Sequence, residues 1–200
     1  MLFRSSHNLR EETYRHFNIE KEIEVIMNFV DVARFNRKPI DAFRKAIAPA
    51  GERILLHASN FRKIKRIPDV VKIFAAVHHK IPCKLLFVGD GPERSTAEDL
   101  SRELGVSEDV LFVGKQEQME DILAIADVFL LTSEYESFGL AALEAMAAKV
   151  PVVSTDAGGL GEINIHGETG MLSKVGDIES MSQQVLTLLQ DEQTLKSFKI

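Results

Sequence analysis

Two carboxylates, Glu136 and Glu144, bracket the start of an apolar segment, Gly139 to Lys149, whose only other charge is its final lysine. A carboxylate in such surroundings is costly to bury without a partner. Glu136 falls in the turn before the segment, and helix N-termini attract anions. The combination suggests a site that grips both the hydroxyls and the phosphates of one ligand. Glu136 is placed to accept hydrogen bonds from sugar hydroxyls and Glu144 from the two hydroxyls of a ribose. The amides around Ser137, Phe138, Gly139 and Leu140 are placed to meet a phosphate. An isolated Glu144 would equally read as a solvent-facing residue or the partner of a nearby cation, but the apolar helix around it makes that less comfortable.

A second cluster is basic. Four of the five residues from Arg62 to Arg66 are cationic, in a chain of net charge −6. Arginine binds phosphate oxygens bidentately, and lysine supplies a compact positive charge. A basic run alone also reads as a solvated loop; its place after an apolar strand shifts Arg62 and Lys65 toward a diphosphate clamp. Lys115 and Gln116 follow another strand, where their loop either meets a nucleobase edge or is an ordinary connection. Gly89 and Gly91 lack the remainder of a dinucleotide fingerprint and read as a structural turn. Gly158 and Gly159 serve equally well as a plain turn or as a point of ligand approach.

The elements that must position these residues are legible from residue 50 onward. Short apolar runs at Arg53–Ala58, Lys84–Val88, Val110–Val113, Asp127–Leu131, Val150–Ser154 and Gly170–Ser173 alternate with helical stretches. Those stretches run over about Asp69–His79, Glu93–Leu104, Gln118–Ala126, Gly139–Lys149, Ile178–Gln190 and Glu192–Phe198. Continuous apolar strands between helices imply a parallel sheet covered on both faces, a doubly wound, Rossmann-like α/β architecture. The earlier part differs: Asn8–Phe17 and Asp41–Ala48 read as helices, Val25–Met27 as a short strand, and Asn28 to Pro39 as an extended connection. Residues 1–49 are thus expected to form an approach segment to a ligand-binding domain over 50–200.

Composition narrows the function. The acidic balance argues against a nucleic-acid surface. Cys83 is the single cysteine and reads as a small core residue, so no disulfide framework or cysteine-based zinc site is expected. His57 reads as a core residue, and His78 and His79 as solvated groups near a helix end. No Asp-x-Asp pair offers a seat for a divalent metal. No apolar run approaches the roughly 20 residues of a membrane helix, and no signal peptide is recognisable, so a cytoplasmic protein is expected. Ile200 falls inside a helical pattern without a capping signal, so a piece of a longer protein is expected.

Glu136-Ser-Phe-Gly-Leu-Ala-Ala-Leu-Glu144 resembles the E-x7-E motif of the retaining GT-B glycosyltransferases of family 4, group 1. Arg62 with Lys65, the Val-Gly-Asp-Gly-Pro turn, the strand after Asp127, Gly158-Gly159 and Gly167-Glu-Thr-Gly170 follow in the family's order. Within it, Ser59 to Arg66 and Ile26 to Asp31 resemble the branch that glycosylates L-malate in bacillithiol synthesis, although Met27 stands where relatives carry proline. The resemblance implies a donor, UDP-N-acetylglucosamine or another UDP-sugar, and transfer with retention, without a cofactor or essential metal. Arg62, Lys65 and Glu136 would be the catalytic set, with Arg62 and Lys65 neutralising the leaving diphosphate. Glu144 would hold the ribose, Lys115 and Gln116 would lie near the uracil, and Ser137 to Leu140 near the phosphates. It also implies a missing N-terminal domain that binds the small acceptor, an inactive fragment, and an exposed surface on which homo-oligomers could form. Three other readings stand beside it: a non-catalytic nucleotide-sugar sensor, a dinucleotide oxidoreductase domain, disfavoured because Ser59 to Arg62 contains no glycine, and a structural interaction domain.

Overall fold

The structure, a computed structural model, describes residues 2–198. Strand β1 (Leu2–Arg4), helix α1 (His7–His16) and strand β2 (Ile23–Val25) come first, followed by short helices α2 (Val32–Phe35) and α3 (Asp41–Ile47). The main body then alternates: β3 (Arg53–Asn60), α4 (Ile67–His78), β4 (Cys83–Asp90), α5 (Arg94–Glu103), β5 (Val110–Phe112), α6 (Met119–Leu123), β6 (Val128–Leu131), α7 (Leu140–Ala147), β7 (Val152–Thr155) and β8 (Gly170–Ser173). It closes with α8 (Ile178–Gln190) and α9 (Glu192–Ser197). Six strands pair in parallel in the order β5-β4-β3-β6-β7-β8, and β1 pairs with β2 in a separate parallel ribbon. The expected doubly wound, Rossmann-like α/β fold is therefore present.

Alternation along the strands builds the two apolar layers. Leu55, Leu85, Val128, Leu130 and Val153 face α4 and α8, where Val70, Phe74, Val185 and Leu188 complete one cluster. Ile54, Leu56, Leu86, Phe129 and Val152 face the other way, against Ala142 and Ala145 of α7. Phe35 and Ala48 are buried in this second layer, so the segment before β3 is anchored to the main body. At the amino ends of the central strands, the buried Asp127 carboxylate receives Arg44 at 2.8 Å, Arg53 at 3.2 Å and the Ile54 amide at 2.8 Å. One carboxylate thereby ties α3 and β3 to the start of β6.

The early chain departs from the sequence expectations. The strand expected at Val25–Met27 lies at Ile23–Val25 because Ile23 is the buried residue, while Ile26 and Met27 remain exposed. The connection expected to be extended contains α2: Asp31 caps it, accepting from the Ala33 amide at 3.0 Å, and Phe35 anchors it. β1 was not anticipated. Helix α4 starts two residues early at Ile67, with Pro68 in its first turn, where proline is tolerated. The helix expected over 118–126 keeps only Met119–Leu123. Among the described residues no helix is long and apolar enough to cross a membrane. Ile200 lies outside the described residues.

His57, fully buried in β3, has Nδ1 2.9 Å from the Leu130 carbonyl oxygen and Nε2 2.8 Å from Ser59 Oγ. Burial holds its pKa down to about 4, against an ordinary 6.5. The unfolded chain therefore takes up a proton below pH 6.5 that the folded chain refuses. His57 contributes stability above pH 6.5 that is lost as pH falls toward 4, at up to about 1.4 kcal/mol per pH unit. Urea unfolding at pH 7 and pH 5 is expected to show this slope, and His57→Gln is expected to flatten it. An unchanged slope in the variant would assign the acid sensitivity to other groups.

Candidate functional site

The strand order reverses direction between β3 and β6, since chain order runs outward on both sides of that pair. In a doubly wound sheet this is where a crevice opens beyond the carboxyl ends of the strands. The two candidate clusters leave the sheet there. After β3, a 3₁₀ turn (Lys63–Lys65) carries the basic run; after β6, the chain passes through Thr132 to Ser137. Lys65 Nζ forms an ion pair with Glu136 Oε1, and both side chains are largely shielded from water. Ser133 Oγ donates to the same carboxylate oxygen at 2.7 Å. The Thr132 hydroxyl donates to the Lys65 carbonyl at 2.9 Å, and the Glu134 amide to the Ile64 carbonyl at 2.8 Å. Arg62, exposed beside this junction, meets no carboxylate among the described residues, so its charge is available to an anion.

Behind Glu136 the chain turns into α7 through Gly139, whose φ of 94° favours glycine. Phe138 is buried, whereas Ser137 and Leu140 are exposed. Among the described residues no acceptor takes the amides of Leu140 and Ala141, so the helix start presents unpaired N–H groups. Gly158 and Gly159 settle into this turn: a Cβ on Gly158 would stand 2.1 Å from the Glu136 carbonyl oxygen, and one on Gly159 2.5 Å from that of Ser137. The Gly159 amide donates to the Glu136 carbonyl at 2.7 Å. These glycines let two loops pack backbone against backbone. Gly89 does the same between β4 and β3, where a Cβ would stand 1.8 Å from the Ser59 carbonyl oxygen.

Glu144 lies one step away from the Lys65–Glu136 pair and is half-buried. Burial raises its pKa; the Arg34 charge opposes that rise and Glu120 adds to it. Arg34 itself is committed to Glu120, at 3.1 Å. Glu144 thus neither faces open solvent nor closes an ion pair of its own. Lys115 and Gln116 are exposed after β5. Gln116 borders a recess of about 300 Å³ with Phe43, Val113 and Ile122, and its side-chain amide donates to the Val113 carbonyl at 2.6 Å. His78 accompanies Lys84 on Asp109, at 2.7 and 2.5 Å, so it is a partnered residue and not a solvated cap. Cys83 is buried, with its thiol pushed up to about 12 by burial. Among the described residues no three metal-binding side chains converge.

Sequence reasoning missed four contributors. Ser133 and Thr132 orient the junction from the strand end itself, and their hydroxyls next to Glu134 were the available signal. Ser6 donates to the Ser137 carbonyl at 2.5 Å, and Glu162 accepts from the His7 and Asn8 amides at 2.9 and 2.7 Å. These last two span more than a hundred residues, and no local pattern announces them.

Residues 40–200 match the family model described as glycosyl transferases group 1. The chain is 43% identical over 189 residues to N-acetyl-alpha-D-glucosaminyl L-malate synthase of Bacillus anthracis, covering 94% of this chain and 50% of that protein. It is 34% identical over 174 residues to glycogen synthase of Mycobacterium tuberculosis, covering 85% of this chain and 40% of that protein. Among solved structures, sucrose-phosphate synthase from Thermosynechococcus elongatus superimposes with a TM-score of 0.86 at 27% identity, over 98% of this chain and 51% of that one. Anabaena Alr3699/HepE, in complex with UDP and glucose, superimposes with a TM-score of 0.90 at 24% identity, over 100% of this chain and 56% of that one. This chain therefore spans about half the length of these relatives or less. With its six-stranded parallel sheet and the match over residues 40–200, the chain belongs to the group 1 glycosyltransferases, on the GT-B type of fold.

Proposed function

We propose that this chain is the donor-binding part of a retaining glycosyltransferase that moves N-acetylglucosamine from UDP-N-acetylglucosamine to a small acceptor, L-malate. The observation that carries the reading is the Lys65–Glu136 junction at the switch point of the sheet, with Arg62 unpaired beside it. A nucleotide sugar needs cations for its diphosphate and acceptors for its hydroxyls within one crevice, and this junction offers both. The relative named for glycosylating L-malate, at 43% identity, supports the donor and the acceptor. The UDP held on the same fold by the Anabaena protein agrees with the uridine part.

Each residue then has a task. Arg62 and Lys65 neutralise the diphosphate as the bond to the anomeric carbon breaks, a task that needs no metal in this reading. The unpaired amides at the start of α7 receive phosphate oxygens. Glu136, fixed by Lys65 and Ser133, orients the donor sugar while the anomeric carbon takes on oxocarbenium character. Glu144 accepts from the ribose hydroxyls, and Gln116 and Lys115 border the base in the recess beside Val113. The acceptor comes from a second Rossmann-like domain. Phe3, Ile26, Met27 and Phe29, all exposed around the β1–β2 ribbon, form the apolar face on which that domain packs. This chain alone is expected to bind donor and transfer nothing, because positioning the two substrates supplies most of the rate; malate glycosylation by the chain alone would overturn that.

Calorimetric titration with UDP, UDP-N-acetylglucosamine, GDP-mannose and NAD is expected to show binding of the uridine compounds only, and preference for NAD would reject the reading. Glu144→Gln is expected to weaken UDP by about 1–3 kcal/mol with the fold intact. Because burial raises the Glu144 pKa and the ribose needs the ionised form, UDP affinity in the parent chain is expected to rise with pH through that pKa. In the glutamine variant the rise should vanish. Lys65→Ala and Arg62→Ala are each expected to weaken UDP by about 1.5–3 kcal/mol while leaving uridine binding unchanged. Equal losses for uridine and UDP would mean that these cations support the loop and not the diphosphate.

A further inference from the structure

The carboxyl ends of β7 and β8 frame a recess of about 470 Å³ at the edge of the sheet opposite Gln116. Asp156, His166, Leu172, Ser173, Lys174 and Gln184 line it, and none of them belongs to the donor site described above. Two of its polar atoms are unexplained. Ser173 is only 8% exposed, yet its hydroxyl has no hydrogen-bond partner. Gln184 donates through Nε2 to the Leu172 carbonyl at 2.9 Å, which fixes its amide, and its Oε1 is shut off from solvent without a donor. Buried polar atoms of this kind are rare in folded proteins and call for a partner.

The surrounding groups define what that partner offers. His166 Nδ1 accepts the Leu172 amide at 3.0 Å, so the neutral ring carries its proton on Nε2 as a donor. Lys174 is a second donor, and Asp156 is an exposed acceptor. The start of α8 is already occupied: Asp177 takes the Ser180 amide at 3.0 Å and the Ser180 hydroxyl at 2.8 Å. With that anion position filled by a carboxylate, and with one cation facing one further carboxylate, a phosphate is poorly served. Donors and acceptors are interleaved beside the apolar Leu172, which matches hydroxyls on a carbon ring.

We propose that this recess is a second binding site, separate from the donor crevice, for a neutral polyhydroxy molecule such as a free pyranose sugar. One ligand hydroxyl donates to Gln184 Oε1, and others engage Ser173 Oγ and the His166 Nε2–H. The volume lies within the range of small-molecule sites.

Amide NMR spectra of the whole chain, titrated with N-acetylglucosamine, glucose and inorganic phosphate, test the proposal. Saturable shifts are expected with the sugars at Ser173, Lys174 and the Gln184 side-chain amide, and they are expected to persist when UDP is present in excess. Ser173→Ala, which breaks no existing hydrogen bond, is expected to weaken the sugar about three- to tenfold, the worth of one net hydrogen bond. Asp156→Ala, at an exposed position, is expected to weaken it as well. Three results would overturn the proposal: no saturable shift with either sugar, equal response to phosphate, or sugar shifts confined to Phe138–Glu144 and abolished by UDP. The last would place free sugar in the donor crevice alone, and a chain that bound sugar at Ser173 but never bound UDP would reject the donor reading while leaving this one intact.

Discussion

An ammonium and a carboxylate that meet across two strand ends hold this molecule's working surface together. Lys65 and Glu136 are 71 residues apart in sequence, and their ion pair forms only because β3 and β6 are neighbours in the sheet. Chain order runs outward from that pair in both directions, so the crossovers from β3 and from β6 leave on opposite faces and open a crevice between them. The pair is braced by Ser133 on the carboxylate and by Thr132 on the lysine carbonyl. A largely shielded charge pair with its remaining lone pairs satisfied holds its geometry before any ligand arrives, which is what a site that binds developing charge requires.

Rigidity in the loops around the pair has a different origin. Where β4 leaves the sheet it touches the backbone of β3 at Gly89, and where β7 leaves it touches the backbone of Glu136 and Ser137 at Gly158 and Gly159. Any side chain at these glycines would occupy the space of a carbonyl. The strand exits are therefore stacked main chain to main chain, with the Gly159 amide bonded to the Glu136 carbonyl. Glycine in this protein does less to approach a ligand than to let the loops that hold the ligand-facing residues lie against each other.

The main sheet was legible in the sequence because its strands are buried on both faces and read as unbroken apolar runs, as Leu55–Leu56 and Val128 to Leu131 show. Arg62, Lys65 and Glu136 were found by position: each follows a strand at its carboxyl end. Their pairing was not legible, because hydrogen bonds such as Ser133 to Glu136 are local while Lys65 to Glu136 depends on strand order. The short elements were hidden for another reason. β1 has three residues and α2 four, too few for any periodicity, and Asp31 as a cap was the single clue to α2. The half-burial of Glu144 was suggested by its apolar helix, but Arg34, the cation nearest in effect, sits on α2 and was invisible for the same reason.

The contacts of α1 bear directly on how the site is controlled. Ser6 caps α1 and also donates to the Ser137 carbonyl, while the His7 and Asn8 amides close on Glu162. Tyr135 donates to Glu12 at 2.6 Å, and its pKa is pushed up to about 12 by burial and by that bond. All three links end on the loop that carries Glu136 or on the turn that packs beneath it. The opposite side of the same small unit exposes Phe3 and Phe29. A domain seated on that apolar side would be joined to the donor loop through one ten-residue helix. Displacing α1 would strain the Ser137 carbonyl and the Glu162 carboxylate together, so the position of such a domain and the geometry of Glu136 are mechanically a single variable.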